Sequence, residues 1–143
     1  MAKTCFVVAY EGDDRDVVDF AAERARCEGA RLHLVHVLEW SPYKFLTPQE
    51  LEERHKRRKM EMARAETAVM APALADLRAA GVEAEGEILY GSVVEQILGV
   101  AKEQGAAMIF VGRSGGTGIG TRVFGSASIG LAQAAPIPTV IVP

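Results

Sequence analysis

Apolar residues in this chain fall into short unbroken runs, each followed by a stretch in which they recur with helical spacing. Cys5 to Tyr10, Leu32 to Leu38, Val82 to Leu89, Met108 to Val111 and Thr139 to Val142 read as five strands. Between them, Val17, Val18, Ala21, Ala22 and Ala25 keep a helical period up to Cys27, with Gly29 as a stop signal. Thr47-Pro48-Gln49-Glu50 joins an N-cap threonine, a proline at the first helical position and a glutamate three residues after the cap. The helix that starts there runs to Ala80, and Pro72 inside it removes a backbone donor, which predicts a bend near Met70 to Pro72. Ser92-Val93-Val94-Glu95 repeats the capping-box pattern before a helix that ends near Gly105, and Ser126 to Ala134 is the last helical stretch.

The order βαβαβαβαβ with continuously apolar strands predicts an α/β fold: one open, doubly wound parallel sheet of five strands with helices on both faces. In such a sheet, ligands bind outside the carboxyl ends of the strands, where the strand order reverses. That rule directs attention to Glu11 to Asp14 after the first strand, whose carboxylates can also cap the next helix, and to Gly112 to Phe124 after the fourth.

Composition narrows the classes of function. With 143 residues, 49% hydrophobic and 24% charged, the chain suits one soluble domain spanning residues 1–143. No stretch is apolar for long enough to span a bilayer and no leader-like segment precedes the first strand, so a cytoplasmic location is expected without membrane insertion. The net charge of −3 gives no general attraction to nucleic acid. Cys5 and Cys27 lie far apart without C-x-x-C spacing, and the expectation is two buried free thiols. His33 and His36, three apart on a strand, point to opposite faces and cannot share an ion, so no metal site is expected from side chains. The basic run Arg54 to Lys59 sits among Glu50, Glu52, Glu53 and Glu61 and predicts a solvated, salt-bridged helix face. Met60, Met62 and Met70 read as core or interface contacts.

The candidate chemistry lies in the segment from Gly112 to Ser126, which carries glycines at 112, 115, 116, 118, 120 and 125 and leads into a helix. Glycine lets backbone N–H groups approach an anion closely, and the helix N-terminus adds donors and a positive dipole end. Gly115 to Gly120 has the outer spacing of a P-loop, yet Thr121-Arg122 stands where Lys-Ser or Lys-Thr is required. Gly116-x-Gly118-x-Gly120 is not the dinucleotide fingerprint, which belongs in the first strand-to-helix turn. No nucleophile and base pair is evident, so an enzyme is not predicted, slow hydrolysis of bound nucleotide aside.

The spacing G-x2-G-x9-G-(S/T), met by Gly112, Gly115, Gly125 and Ser126, resembles the ATP-binding branch of the universal stress protein family. The resemblance extends to the acidic-Gly turn after the first strand, to His36-Val37, to Gly91-Ser92 and to the closing Pro-Ile-Pro-Thr-Val-Ile-Val. It implies an adenine nucleotide alpha hydrolase-like sheet of order 3-2-1-4-5. It further implies that Ala9, Val37 and Val111 line an adenine pocket, that Glu11 accepts hydrogen bonds from the ribose, and that Gly112 and Gly115 shape the loop. Gly125, Ser126 and Ser128 would then hold the phosphates, with Ala127 also among the nucleotide-binding residues. Glu11 stands where the family usually has aspartate, and Gly116 where it often has a basic residue.

The expected cofactor is ATP, with ADP or AMP as alternatives and Mg²⁺ held through the phosphates. The expected assembly is a homodimer through the C-terminal strand that a further protein partner reads in a stress response. The alternative is a nucleotide-independent dimer acting as an interaction protein. An adenylyl transferase of similar fold would carry H-x-G-H where this chain has Glu11-Gly12-Asp13-Asp14.

Overall fold

The computed structural model describes residues 3–39, 46–113 and 126–143. Its strands are β1 (Cys5–Ala9), β2 (Arg31–Glu39), β3 (Ala84–Gly91), β4 (Met108–Gly112) and β5 (Thr139–Val142). They form one sheet of order β3-β2-β1-β4-β5, every neighbouring pair parallel. The helices are α1 (Arg15–Glu28), α2 (Pro48–Ala65), α3 (Ala71–Ala79), α4 (Val93–Gln104) and α5 (Ser126–Ala134).

The apolar runs of β1, β2 and β4 follow from burial on both sides. Phe6, Val8, Leu32, Leu34 and Phe110 meet α1 and α3 through Val18, Ala21, Ala73 and Leu77. Their alternates Val7, Ala9, Val35, Ile109 and Val111 meet α4 and α5 through Ile97, Val100 and Leu131. The Phe6 and Phe110 rings pack tilted, 5.5 Å between centroids, a geometry that adds about 0.5–1.5 kcal/mol beyond area burial.

The third strand begins at Ala84, two residues later than the apolar run suggests, because the Val82 N–H is engaged by the Leu77 carbonyl in the helix-ending turn. It extends instead to Gly91, opposite Glu39. The bend expected near Pro72 is a five-residue π-helical turn, Glu66–Met70, just before α3. There the Ala71 N–H reaches back to the Glu66 carbonyl, one residue farther than in an α-helix, which accommodates a proline that has no N–H and whose ring needs room.

Several local readings are corrected. Thr47 caps α2 as expected, its Oγ1 accepting from the Glu50 N–H at 3.2 Å. Ser92 makes no side-chain cap on α4, nor does Asp14 on α1. The Asp14 carboxylate turns back to accept the Glu11 N–H at 3.1 Å. Cys5 is buried, and burial pushes its thiol upward, whereas Cys27 is exposed because it lies off the buried stripe of α1.

Along α2, contacts other than the expected ion pairs engage Arg58 and Glu61. Among the described residues Lys56, Arg57 and Lys59 form no salt bridge with the neighbouring glutamates. Arg58 lies over the Tyr90 ring, 4.3 Å from its centroid, and Glu61 accepts from the Tyr90 hydroxyl at 2.8 Å. Of the methionines, Met70 is fully buried, Met62 packs at the edge of the core and Met60 is exposed.

Candidate functional site at the switch point

β1 leads through α1 to β2 on one side, while β3 returns through α4 to β4 on the other side of β1. The chain therefore leaves the carboxyl ends of β1 and β4 toward opposite sides of the sheet, and a cavity of about 210 Å³ lies at those ends. Ala9, Val35, Val37 and Val111 supply apolar wall from three strands, and Val93 and Ile97 of α4 close it from one face. Ala127 of α5 completes the wall, and Tyr10, Glu11, His36 and Glu39 form the strand-end rim.

Of the residues singled out from sequence, Ala9, Glu11, Val37, Val111 and Ala127 thus come together. Gly112 ends β4 beside Val142 of β5, next to the wall but not part of it. Ser126 opens α5 and is exposed. Ser128 is buried, 1% exposed, and its hydroxyl donates to the Arg113 carbonyl at 3.0 Å. That hydrogen bond ties α5 to the end of β4, a structural use of the hydroxyl that the resemblance had assigned to phosphate. Gly115 and Gly125, with Gly116, lie outside the described residues.

Ladder geometry orients one further feature. The Tyr10 N–H donates to the Val35 carbonyl at 2.9 Å, so Val35 turns its backbone groups toward β1. Period two turns the Val37 N–H and C=O to the same side, beyond the last paired residue of β1. A flat heterocycle entering there meets aliphatic walls and one backbone donor and acceptor.

The turn carrying Glu11 is held from several directions. The Tyr10 hydroxyl donates to the Gly12 carbonyl at 3.2 Å, and Gly12 takes φ +111°, a conformation strained for other residues. Burial pushes the Asp14 carboxyl above its ordinary value, a rise opposed by the Glu11 N–H that it accepts. Glu11 and Glu39 give this rim acidic character.

The two histidines occupy opposite faces, as their spacing requires. His33 is buried and its Nε2 donates to Glu87 Oε2 at 2.6 Å; His36 Nδ1 lies 2.8 Å from the Tyr10 carbonyl oxygen. Sequence reasoning missed Val35, Val93, Ile97 and Glu39. Period two from Val37 would have found Val35, whereas Val93 and Ile97 depend on how α4 packs. Among the described residues no group of three or more His, Cys, Asp or Glu is placed to hold a metal, and no helix is long and apolar enough to cross a membrane.

A doubly wound parallel sheet of this order with a cavity at its switch point defines an α/β protein of the adenine nucleotide hydrolase-like class. The chain belongs to the universal stress protein family, whose model matches residues 3–143. Among solved structures it is similar to universal stress protein UspA from Lactobacillus plantarum, at 22% identity and TM-score 0.84, covering 100% of this chain and 99% of that one. It is also similar to the universal stress protein from Archaeoglobus fulgidus in complex with dAMP, at 23% identity and TM-score 0.64, covering 99% and 98%. A universal stress protein in complex with cAMP aligns at 23% identity and TM-score 0.67, again covering 99% and 98%. No curated protein matches the sequence. At these identities the structural likenesses establish the fold.

Proposed function

We propose that this universal stress protein binds an adenine nucleotide, ATP foremost, across the switch point and acts as a nucleotide-dependent regulatory module in stress response. The observation that carries this reading is the convergence of Ala9, Glu11, Val37, Val111 and Ala127, distant in sequence, on one cavity. Its apolar walls and the outward-facing Val37 backbone suit a purine, and the Glu11 carboxylate at the rim suits ribose hydroxyls, which are hydrogen-bond donors. The glycine spacing from Gly112 to Ser126 suits backbone donation to phosphates, and the segment adjoins Val111 and Ala127 in sequence. Two relatives of the same fold were solved with adenine nucleotides, dAMP and cAMP, which supports the ligand class.

Mg²⁺ would be held mainly by the phosphates, since it dehydrates reluctantly and needs few protein ligands. Fast catalysis is not proposed, because among the described residues no nucleophile and base are paired at the rim. β5 ends the sheet with one side of its backbone unpaired among the described residues, and a second copy is proposed to cover it in a homodimer. A further protein would read the nucleotide state of that dimer.

The test is calorimetric titration of ATP with Mg²⁺ into wild type, Gly115→Val and Ala9→Leu. Binding by wild type, with at least about a tenfold loss in both folded variants, is expected, because one blocks backbone approach to phosphate and the other fills the base cavity. No heat and no thermal shift with wild type would overturn the reading. The second reading, a nucleotide-independent interaction protein, is favoured by Glu39, which adds a second carboxylate to a rim that a polyphosphate must pass.

A further inference from the structure

Tyr10 is the first residue beyond β1, and its carbonyl is not taken up by the parallel ladder, which stops at Ala9 opposite Val35. The next bond of a continued ladder would come from the Val37 N–H. The His36 side chain takes that place: its Nδ1 lies 2.8 Å from the Tyr10 carbonyl oxygen. A carbonyl only accepts, so the bond itself fixes a proton on Nδ1.

The turn beyond is built against this imidazole. A Cβ added to Gly12 would lie 3.7 Å from His36 Cε1 and 3.3 Å from Val69 Cγ1, so the Gly12 backbone rests on both side chains. On the far side, the Glu11 N–H is held by Asp14 Oδ1 at 3.1 Å. The Tyr10 carbonyl and the Glu11 N–H belong to one peptide unit, so the His36 bond at one edge and the Asp14 bond at the other anchor the plane from which Glu11 springs. Neither anchor needs the ligand, and both fix the backbone from which the Glu11 carboxylate projects at the cavity rim.

We infer that His36 is a positioning residue for recognition of the ligand's sugar: through the Tyr10 carbonyl it fixes the turn that presents Glu11 to the ribose hydroxyls. This rests on the nucleotide reading above. Its contribution is confined to the sugar, because Ala9, Val35, Val37 and Val111, the walls that would hold the base, are fixed by strand pairing within the sheet rather than by this turn.

The test compares ATP with its 2′,3′-dideoxy analogue, each titrated into wild type, His36→Phe and His36→Asn. Phenylalanine keeps a flat ring without a donor, while the asparagine amide nitrogen stands near the place of Nδ1. Loss of one positioned hydrogen bond predicts that His36→Phe binds ATP roughly five- to tenfold more weakly and the dideoxy analogue within about twofold of wild type. His36→Asn should recover most of the ATP affinity. Equal weakening of both ligands by a folded His36→Phe, or no weakening of ATP binding, would overturn the inference.

A readout on wild type stands apart from any variant. By nitrogen NMR, exchange of the His36 Nδ1 proton should slow when ATP binds and change little with the dideoxy analogue; equal protection by both overturns the proposal. If wild type binds neither nucleotide, the nucleotide reading itself fails and this inference with it. Binding of both with equal affinity leaves nucleotide binding standing and overturns the sugar role.

Discussion

The hydroxyl of Ser128 donates to the carbonyl of Arg113 at 3.0 Å, joining the third residue of α5 to the residue that follows β4. Between these partners runs the glycine-rich segment, so the hydrogen bond fixes the separation of its two ends. Because Ser128 is buried, removing the hydroxyl leaves a small gap at its position and a carbonyl without this partner. Ser128→Ala should lower stability by about 1–2 kcal/mol in denaturant titration, with any loss of nucleotide affinity appearing as a separate effect. An unchanged midpoint would mean that the bond contributes nothing net.

Gly86 lies in β3 where a Cβ would collide with the Met70 thioether and approach the Leu34 carbonyl oxygen to 3.2 Å. Met70 belongs to the π-helical turn and is fully buried, so its movement is limited by the core around it. Gly86→Ala should destabilise the chain by roughly 1–3 kcal/mol. Met70→Ala in the same chain makes room for the added methyl, so the double variant should cost less than the sum of the two single ones. Additive costs in thermal or denaturant unfolding would show that the two residues do not compete for the same space.

The raised pKa of Asp14 has a defined sign in stability. Burial is its main cause, and Asp13 adds to it. A carboxyl that holds its proton more tightly folded than unfolded loses stabilising effect as pH rises above the ordinary value of 3.8. At about pH 7 the charged form is therefore the disfavoured one. Asp14→Asn keeps the oxygen that accepts the Glu11 N–H without the charge, and should be at least as stable as wild type at that pH. The difference should narrow on acidification, as the wild-type carboxyl gains its proton. A variant clearly less stable at about pH 7 would show that the charge–amide bond outweighs desolvation.

Tyr90 titrates late. Partial burial, followed by the hydrogen bond to Glu61, pushes its phenol from 10.0 up to about 12. The proton is held more tightly in the folded chain, so the contribution of this contact is intact below about pH 10 and is lost as pH rises toward 12. Phenolate absorbance should show one late-titrating tyrosine that is missing in Tyr90→Phe. That variant should also be less stable by about 0.5–1.5 kcal/mol at neutral pH. A normal titration for every tyrosine would remove the Glu61 contact from the solution structure.

Much of the fold was legible because strand and helix periods differ and a doubly covered parallel sheet leaves unbroken apolar strands. Cys5–Ala9, Met108–Gly112 and Thr139–Val142 fall where the runs place them, within a residue. Errors cluster where two partners compete for one backbone group. Val82 is apolar enough for a strand, yet its N–H closes the turn after α3. Asp14 has the side chain of a cap, yet the Glu11 N–H takes its carboxylate. The charges of α2 alternate as ion-paired helices do, yet Arg58 and Glu61 engage Tyr90 from β3.

The sequence by itself determined the class of fold, the strand ends where a site belongs and five residues of the cavity, because local spacing and the glycine pattern carry that information. Only the tertiary structure decided that Val93, Ile97 and Glu39 join the cavity, that the Ser128 hydroxyl serves Arg113, and that the His36 imidazole holds the Tyr10 carbonyl. These depend on which helix covers which strands and on hydrogen bonds between residues far apart along the chain. No local period records a partner that only packing brings within about 3 Å.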